Sequence, residues 1–139
     1  MNALDNLAQR YAPLIGRILL ALLFIISGYG KIGGFAQTAG YMASKGLPMA
    51  EVLLVLTILI ELGGGLMILV GWQARWAALV LFLWLIPVTM VFHNYWGVDA
   101  AQMRNQFNHF FKNLCIMGGM LYVVAHGSGP FSLSRETGK

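Results

Sequence analysis

The long apolar stretch at residues 48–70 most constrains how this chain can fold. It carries only two ionisable side chains, Glu51 near its start and Glu61 in its interior. A helix needs about 20 mostly apolar residues to cross a hydrocarbon core of roughly 30 Å. Residues 48–70 meet both requirements, so they predict a helix that spans a lipid bilayer.

The composition of the whole chain agrees with a membrane setting. Of its 139 residues, 58% are hydrophobic and 10% are charged, whereas soluble domains average about 45–50% apolar and about 25% charged residues. A soluble enzyme or a disordered chain is therefore not expected. The net charge of +4 comes from Lys and Arg residues scattered singly, so no nucleic-acid partner is expected. Cys115 is the single cysteine, which excludes an internal disulfide and a multi-cysteine metal cluster.

Four such segments predict an all-α integral membrane protein, an antiparallel four-helix bundle formed by one domain over residues 1–139. The predicted spans lie at about residues 13–31, 48–70, 76–93 and 107–126. Pro13 suits the first turn of the first helix. Gly33 and Gly34 end that helix, and Pro87 bends the third. The first span resembles a secretory signal but is expected to stay as an uncleaved anchor.

The fourth span is the least regular, because uninterrupted apolar sequence covers only residues 114–125. Asp99 followed by Gln102 resembles a helix-capping sequence. This predicts a helix from Ala100 to about His126 whose first two turns stand outside the bilayer. The alternative is a chain with three spans and its two ends on opposite sides of the membrane.

Aromatic and basic residues predict where the spans meet water. One predicted interface contains Tyr11, Trp72 and Trp76, and the other contains Tyr29, Tyr95 and Trp96. Tyr and Trp are enriched at such interfaces. Five Lys and Arg residues fall at the first interface and four at the second. By the positive-inside rule, this small excess predicts both termini in the cytoplasm.

Glu61 is the costliest residue in the predicted spans, because a charge at the bilayer centre costs about 2.5–3.5 kcal/mol on insertion scales. At 1.5 Å per residue, Arg17 lies about 6 Å and Glu61 about 13 Å from the same interface. We predict that the two side chains pair. That pair would either only fix helix register or form a substrate or proton site. A third interpretation is a protonated, neutral Glu61, since low-dielectric surroundings disfavour the ionised carboxyl.

A second polar cluster is predicted at the opposite end of the bundle. Its members are Lys31, His93, Asn94, His109, Lys112 and Asn113. These residues would line a mouth, where Lys31, His93 and Lys112 would attract an anion. Histidines at such a place ligate metal, carry protons or, most often, donate to water and headgroups. His93 and His109 would hold a haem only if their helices face each other. No metal site is expected, because the sequence has no HExxH motif or close acidic cluster.

Several short segments of the chain form a set that is shared with a known family. They are residues 11–17 (YAPLIGR), 24–31 (FIISGYGK), 45–48 (KGLP), 61–71 (ELGGGLMILVG), His93, 109–114 (HFFKNL), 118–119 and 127–133 (GSGPFSL). Together they resemble the DoxX family of membrane proteins over nearly the whole chain. The matched polar positions are Arg17, Lys31, Glu61, His93, Lys112 and Asn113. Ser134 stands where the family often has an acidic residue.

The resemblance implies a four-helix protein of the bacterial inner membrane that is associated with redox complexes, including a thiosulfate:quinone oxidoreductase. The first hypothesis is a membrane subunit or accessory protein that binds a quinone or a small oxidised sulfur compound inside the bundle. A soluble or membrane partner would then supply the redox centre, and a haem is not expected. One alternative is a non-catalytic scaffold that uses its buried charges for packing. Another is a small transporter or channel, for which a homo-oligomer would form the path.

Overall fold

The computed structural model describes residues 2–134, a range in which the chain forms helices joined by short turns. The α-helices are α1 Ala3–Gly33, α2 Phe35–Ser44, α3 Ala50–Ile58, α4 Gly64–Val70, α5 Ala74–Phe92 and α6 Ala100–His126. A π-helical turn, Leu59–Gly63, joins α3 to α4 without a break. A 3₁₀ turn, Tyr95–Gly97, precedes α6. The predicted all-α class is confirmed.

Four helical rods make up the bundle: α1, the continuous rod from α3 to α4, α5 and α6. The rod of α3 and α4 packs against α1, and α4 also packs against α5. α5 packs along α6, while α1 and α6 share a smaller contact. The helix α2 lies between α1 and α3, and shorter connections at residues 71–73 and 93–99 link α4 to α5 and α5 to α6. Neighbouring rods along the chain therefore run antiparallel. We call the end of the bundle that carries α2 the α2 end, and the end that carries residues 71–73 the turn end.

The start of α6 is predicted correctly, whereas the start of α1 is not. α6 runs from Ala100 to His126 as predicted, and the Asp99 carboxylate accepts a hydrogen bond from the Gln102 backbone N–H. Pro13 is wrongly predicted to lie in the first turn of its helix, because α1 begins at Ala3 and Pro13 lies in its interior.

The early start of α1 has a local cause in two polar side chains. The Asn2 side chain accepts from the Asp5 backbone N–H, and the Asp5 carboxylate accepts from the Asn2 backbone N–H. These two bonds satisfy donors that a helix start leaves unpaired. At the other end, α1 stops at Gly33 as predicted. The helix α2, which follows at once, is not predicted from the sequence.

Gly28 brings α1 into close contact with the π turn. A Cβ atom at this position would lie 2.8 Å from Leu62 Cγ and 3.2 Å from the Leu62 backbone nitrogen. Glycine therefore lets the two backbones approach, as small residues do between membrane helices. At Gly30, Gly63 and Gly118, by contrast, a Cβ atom would meet nothing within 4 Å.

We expect Gly28→Ala to lower the midpoint of thermal unfolding in mild detergent. Overpacking a tight contact costs about 1–3 kcal/mol, and here the added methyl group meets backbone as well as side chain. The matched control is Gly30→Ala on the same helix, where the space is open and alanine is the better helix former. Equal midpoints for the two variants would show that the contact at Gly28 is not tight.

Three helical stretches are long and apolar enough to cross a membrane. They are Ala3–Gly33, Ala50–Val70 and Ala74–Gly97. α6 is not among them, although its 27 residues would reach about 40 Å at 1.5 Å per residue. The polar residues in its first half lower its hydropathy. The crossing of the membrane by α6 therefore stays a prediction, and so does the four-span arrangement.

Labelling of Cys115 tests whether α6 crosses the bilayer. The thiol is exposed on α6 and lies inside the predicted span at residues 107–126. We expect a membrane-impermeant maleimide to label it slowly in intact membranes, because the lipid would cover it. The control is Gln102→Cys in a Cys115→Ser background, which places a thiol in the first turn of α6 and should label fast. Fast labelling of both positions would favour the three-span alternative.

Candidate functional site

Lys31 and Glu61 form an ion pair between α1 and the π turn. Lys31 Nζ lies 2.9 Å from Glu61 Oε2 and also donates to Ser27 Oγ at 2.5 Å. The Glu61 side chain is 10% exposed and that of Lys31 is 25% exposed. The predicted pairing of Arg17 with Glu61 is wrong, although both residues are buried as expected.

The direction of helical side chains explains which cation reaches Glu61. Each side chain of an α-helix tilts toward the N-terminus of its own helix. Lys31 lies in the last turn of α1, so its side chain tilts back into the bundle. Glu61 belongs to a rod that starts at the α2 end, so its carboxylate tilts toward that end and meets Lys31. Arg17 tilts toward the turn end, away from Glu61.

The π turn at Leu59–Gly63 carries Glu61 at its centre. A π-helical turn inserts one extra residue into a helix and is frequently found at functional sites. Thr57, one turn earlier, is also buried and donates its hydroxyl hydrogen to the Leu53 carbonyl oxygen at 2.8 Å. Thr57 and Glu61 thus face the interior of the bundle together.

Arg17 is held by the segment that follows α6, residues 128–134, which we call the strap. Arg17 Nη2 donates to the carbonyl oxygens of Phe131 at 2.8 Å and Pro130 at 3.3 Å. The side chain is 2% exposed. Its Nε and Nη1 atoms have no hydrogen-bond partner among the described residues. Arg17 is therefore a buried cation. Within residues 2–134, its hydrogen bonds go to peptide carbonyl oxygens and not to a carboxylate.

The turn after α4 completes the surroundings of Arg17. Gly71 has a left-handed φ of 70°, and a Cβ atom there would overlap Arg17 Nη1 and the Ser132 side chain. The strap is bonded to this turn, because the Leu133 N–H donates to the Val70 carbonyl oxygen at 3.0 Å. The C-terminal carbonyls of a helix carry partial negative charge, so the end of α4 favours the Arg17 cation.

The predicted polar cluster at the α2 end is divided into two groups, because Lys31 pairs with Glu61 while His93, His109 and Lys112 lie together. The rings of His93 and His109 stack with centroids 5.0 Å apart. His93 Nδ1 is 2.9 Å from Gln106 Oε1, and Lys112 Nζ is 3.3 Å from His109 Nδ1. The helices of the two histidines thus face each other, but direct stacking leaves no room for a porphyrin between the rings. Among residues 2–134, no group of three or more His, Cys, Asp or Glu side chains is placed to hold a metal ion.

Asn113 belongs to neither group, because it binds a residue deeper in the bundle. Its Nδ2 atom donates to Thr89 Oγ1 at 3.0 Å, and both side chains are buried. This bond joins α5 to α6, and such bonds between membrane helices are worth about 0.6–2 kcal/mol. We assign Asn113 a structural role.

A cavity of about 470 Å³ lies in the half of the bundle toward the α2 end. Lys31, Thr57 and Glu61 form one polar wall, and His93, Gln106 and His109 form another. The remaining surface is mostly apolar and comes from α2, α3, α5, α6 and the turn between α2 and α3, with Thr38, Tyr41, Met42, Leu47, Leu53, Trp84, Pro87, Val88, Val91, Phe92 and Asn105. Arg17, Lys112 and Asn113 do not line this space. The sequence-predicted site residues in the cavity are thus Lys31, Glu61, His93 and His109.

Most of the cavity lining is not predicted from the sequence as site residues, including Tyr41, Trp84 and Gln106. Tyr41 lies on α2, and its ring contacts Phe92 of α5 at 5.7 Å between centroids. Gln106 precedes the predicted site residue His109 by one helical turn, so this spacing would have indicated it. Trp84 has no such relation to a predicted site residue. No comparable pattern indicates Tyr41.

These features define an all-helical integral membrane protein with an apolar cavity that two polar walls flank. The family model of DoxX matches residues 12–94, which is more than half of the chain. The chain belongs to the DoxX family.

Its similar proteins include two bacterial ones of matching length. The chain is 38% identical to the inner membrane protein YqjF of Escherichia coli K12, over 91% of this chain and 92% of that protein. It is 32% identical to the inner membrane protein YphA of the same organism, over 88% of each. A more distant similarity, 28% identity, relates 92% of this chain to 38% of the Surfeit locus protein 4 homolog of Schizosaccharomyces pombe. Comparison with solved structures gives no match.

Proposed function

We propose that the cavity binds a small amphipathic molecule, with a quinone as its ligand class, and that the protein is the membrane component of a redox system. The single observation that carries this proposal is the cavity of about 470 Å³. Small-molecule sites of proteins are typically about 300–1,000 Å³, mostly apolar, with a few polar groups that orient the ligand. The cavity meets each of these criteria.

The distribution of polar groups supports a ligand with a polar head and an apolar body. Lys31 and Glu61 lie on one wall, and His93 and Gln106 lie on another, while aliphatic and aromatic side chains form the rest. A ring with oxygen substituents and an alkyl chain fits such a surface. In this proposal, electrons come from a soluble or membrane partner. With the termini in the cytoplasm, the cavity would lie in the outer half of the inner membrane.

Binding of tritium-labelled decylubiquinone tests the proposal. The protein is reconstituted in lipid nanodiscs, and binding to empty nanodiscs is subtracted. We expect saturable binding with about one site per chain. Val88→Trp should abolish it by filling the cavity, whereas Val80→Trp on the lipid-facing side of the same helix, where Val80 is 47% exposed, should leave it intact. Binding that stays non-saturable, or that Val88→Trp does not change, would contradict the proposal.

The alternative is a non-catalytic scaffold in which the buried polar groups only fix the helices. Two observations favour it: the Lys31 and Glu61 pair joins α1 to the π turn, and the bond from Asn113 to Thr89 joins α6 to α5. A scaffold needs helix register but no ligand. Replacing Lys31 and Glu61 together by apolar residues should then leave the function of the protein in cells unchanged, whereas a ligand that these two groups orient predicts that this function is reduced.

A further inference from the structure

Lys31 has a hydrogen-bond donor to spare at the wall of the cavity. An ammonium group carries three N–H donors and no acceptor. One N–H is directed at Ser27 Oγ, and another serves the Glu61 carboxylate, whose two oxygens lie 2.9 and 3.3 Å from Nζ. Lys31 lines the cavity, and its side chain is 25% exposed. The third N–H is therefore available to a molecule in the cavity.

The formal charges of the cavity wall cancel. Among the residues that line it, Lys31 and Glu61 are the two that are ordinarily ionised at neutral pH besides the histidines. Because Lys31 is already paired with Glu61, it offers an anion little uncompensated charge. Taking an ion out of water into such a space is costly unless an opposite charge is free to meet it. An uncharged ligand avoids this cost.

From the third N–H donor of Lys31 and the balanced charge of the cavity wall, we infer that the ligand is an uncharged molecule with a carbonyl oxygen. Lys31 selects this ligand by donating its third N–H to that oxygen. The inference rests on the proposed function of the cavity. A hydrogen bond from a charged donor is about twice as strong as one between neutral groups, so the ion pair makes Lys31 a good donor while its charge stays balanced. Small oxidised sulfur anions, which the family resemblance also suggests, are disfavoured by the same balance.

Two ligands that differ in their oxygens test this inference. Labelled decylubiquinone is bound to the protein in nanodiscs, and decylbenzene, which has the same alkyl chain and no oxygen, is used as a competitor, with both concentrations expressed per lipid. In the unmodified protein we expect decylubiquinone to bind about tenfold more tightly than decylbenzene, the effect of one good hydrogen bond. In the double variant Lys31→Met with Glu61→Leu, this preference should fall to about twofold or less.

The control variant is Arg104→Met, which removes an exposed cation of α6 that does not line the cavity. It should retain the preference for decylubiquinone. A preference that Arg104→Met removes and the double variant keeps would overturn the assignment to Lys31. Displacement of decylubiquinone by thiosulfate in competition with it would overturn the uncharged ligand class.

The comparison of the two ligands in the unmodified protein tests the role of Lys31 separately from the proposed function of the cavity. Saturable binding of both ligands with equal affinity would overturn the role of Lys31 and leave the cavity as a binding site. Absence of saturable binding of either ligand would overturn the proposed function and this inference with it. Both outcomes are independent of whether a variant folds.

Discussion

Lys31→Met is expected to lower the free energy of unfolding by about 2–4 kcal/mol. The substitution leaves the Glu61 carboxylate without its cation in a site where it is 10% exposed. Breaking a buried ion pair by removing one partner costs about 3–5 kcal/mol. The expected value is somewhat lower here, because a quarter of the Lys31 side chain is exposed and screening weakens such pairs. The measurement is unfolding of the detergent-solubilised protein by a denaturing detergent.

The double variant Lys31→Met with Glu61→Leu is the control for this prediction. Replacing both members of a buried ion pair by apolar residues is often neutral or stabilising. The double variant should therefore be more stable than Lys31→Met alone and close to the unmodified protein. If the two changes simply add, the pair does not contribute as a unit. The same double variant is the one on which the ligand comparison depends, so its stability is measured first.

Deletion of everything after Gly127 is expected to destabilise the protein by about 2–4 kcal/mol, the second large effect. The deletion removes the strap and with it the Pro130 and Phe131 carbonyl oxygens that accept from Arg17. It leaves a cation that was 2% exposed without acceptors, and an unpaired buried charge is costly. Water or headgroups that reach Arg17 after the deletion reduce the cost below that of a fully buried charge.

Two further chains separate the role of Arg17 from a general effect of truncation. Deletion of residues 135–139 alone keeps the strap and is the reference against which the longer deletion is measured. Arg17→Met in the chain that ends at Gly127 should recover much of the lost stability, because no charge then needs acceptors. Equal stability of the truncated chain with and without Arg17→Met would show that Arg17 does not depend on the strap.

The long helices can be predicted from the length and hydropathy of the apolar segments in the sequence. A run such as residues 48–70 has no other way to satisfy its backbone in lipid, and the cap at Asp99 defines the start of α6 at Ala100. The helix α2 does not meet the same criteria, because its ten residues are too few to span the bilayer. The π turn is also not predicted, since its composition does not differ from that of the α-helix around it.

The sequence predicts which residues are buried in the bundle better than it predicts which of them contact each other. Burial cost alone singles out Arg17 and Glu61, and both are buried. The partner of Glu61 depends on the direction in which each side chain tilts along its helix. The prediction compared only the depths of Arg17 and Glu61 in the membrane, and Lys31 is the cation whose side chain tilts toward Glu61. Nothing local indicates that Arg17 meets Pro130 and Phe131, since the strap has neither a carboxylate nor a regular element to mark it.

The bond between Arg17 and the strap also has a consequence for biosynthesis. Arg17 enters the membrane with the first helix, but its acceptors at Pro130 and Phe131 are separated from it by 113 and 114 positions. Ribosomes add about 5–20 residues per second, so the arginine waits on the order of ten seconds for them. During that interval its long side chain reaches outward to water or lipid phosphates at the turn end. The guanidinium of a nascent chain is therefore solvated at the membrane surface, and it becomes buried only after translation has delivered Pro130 and Phe131.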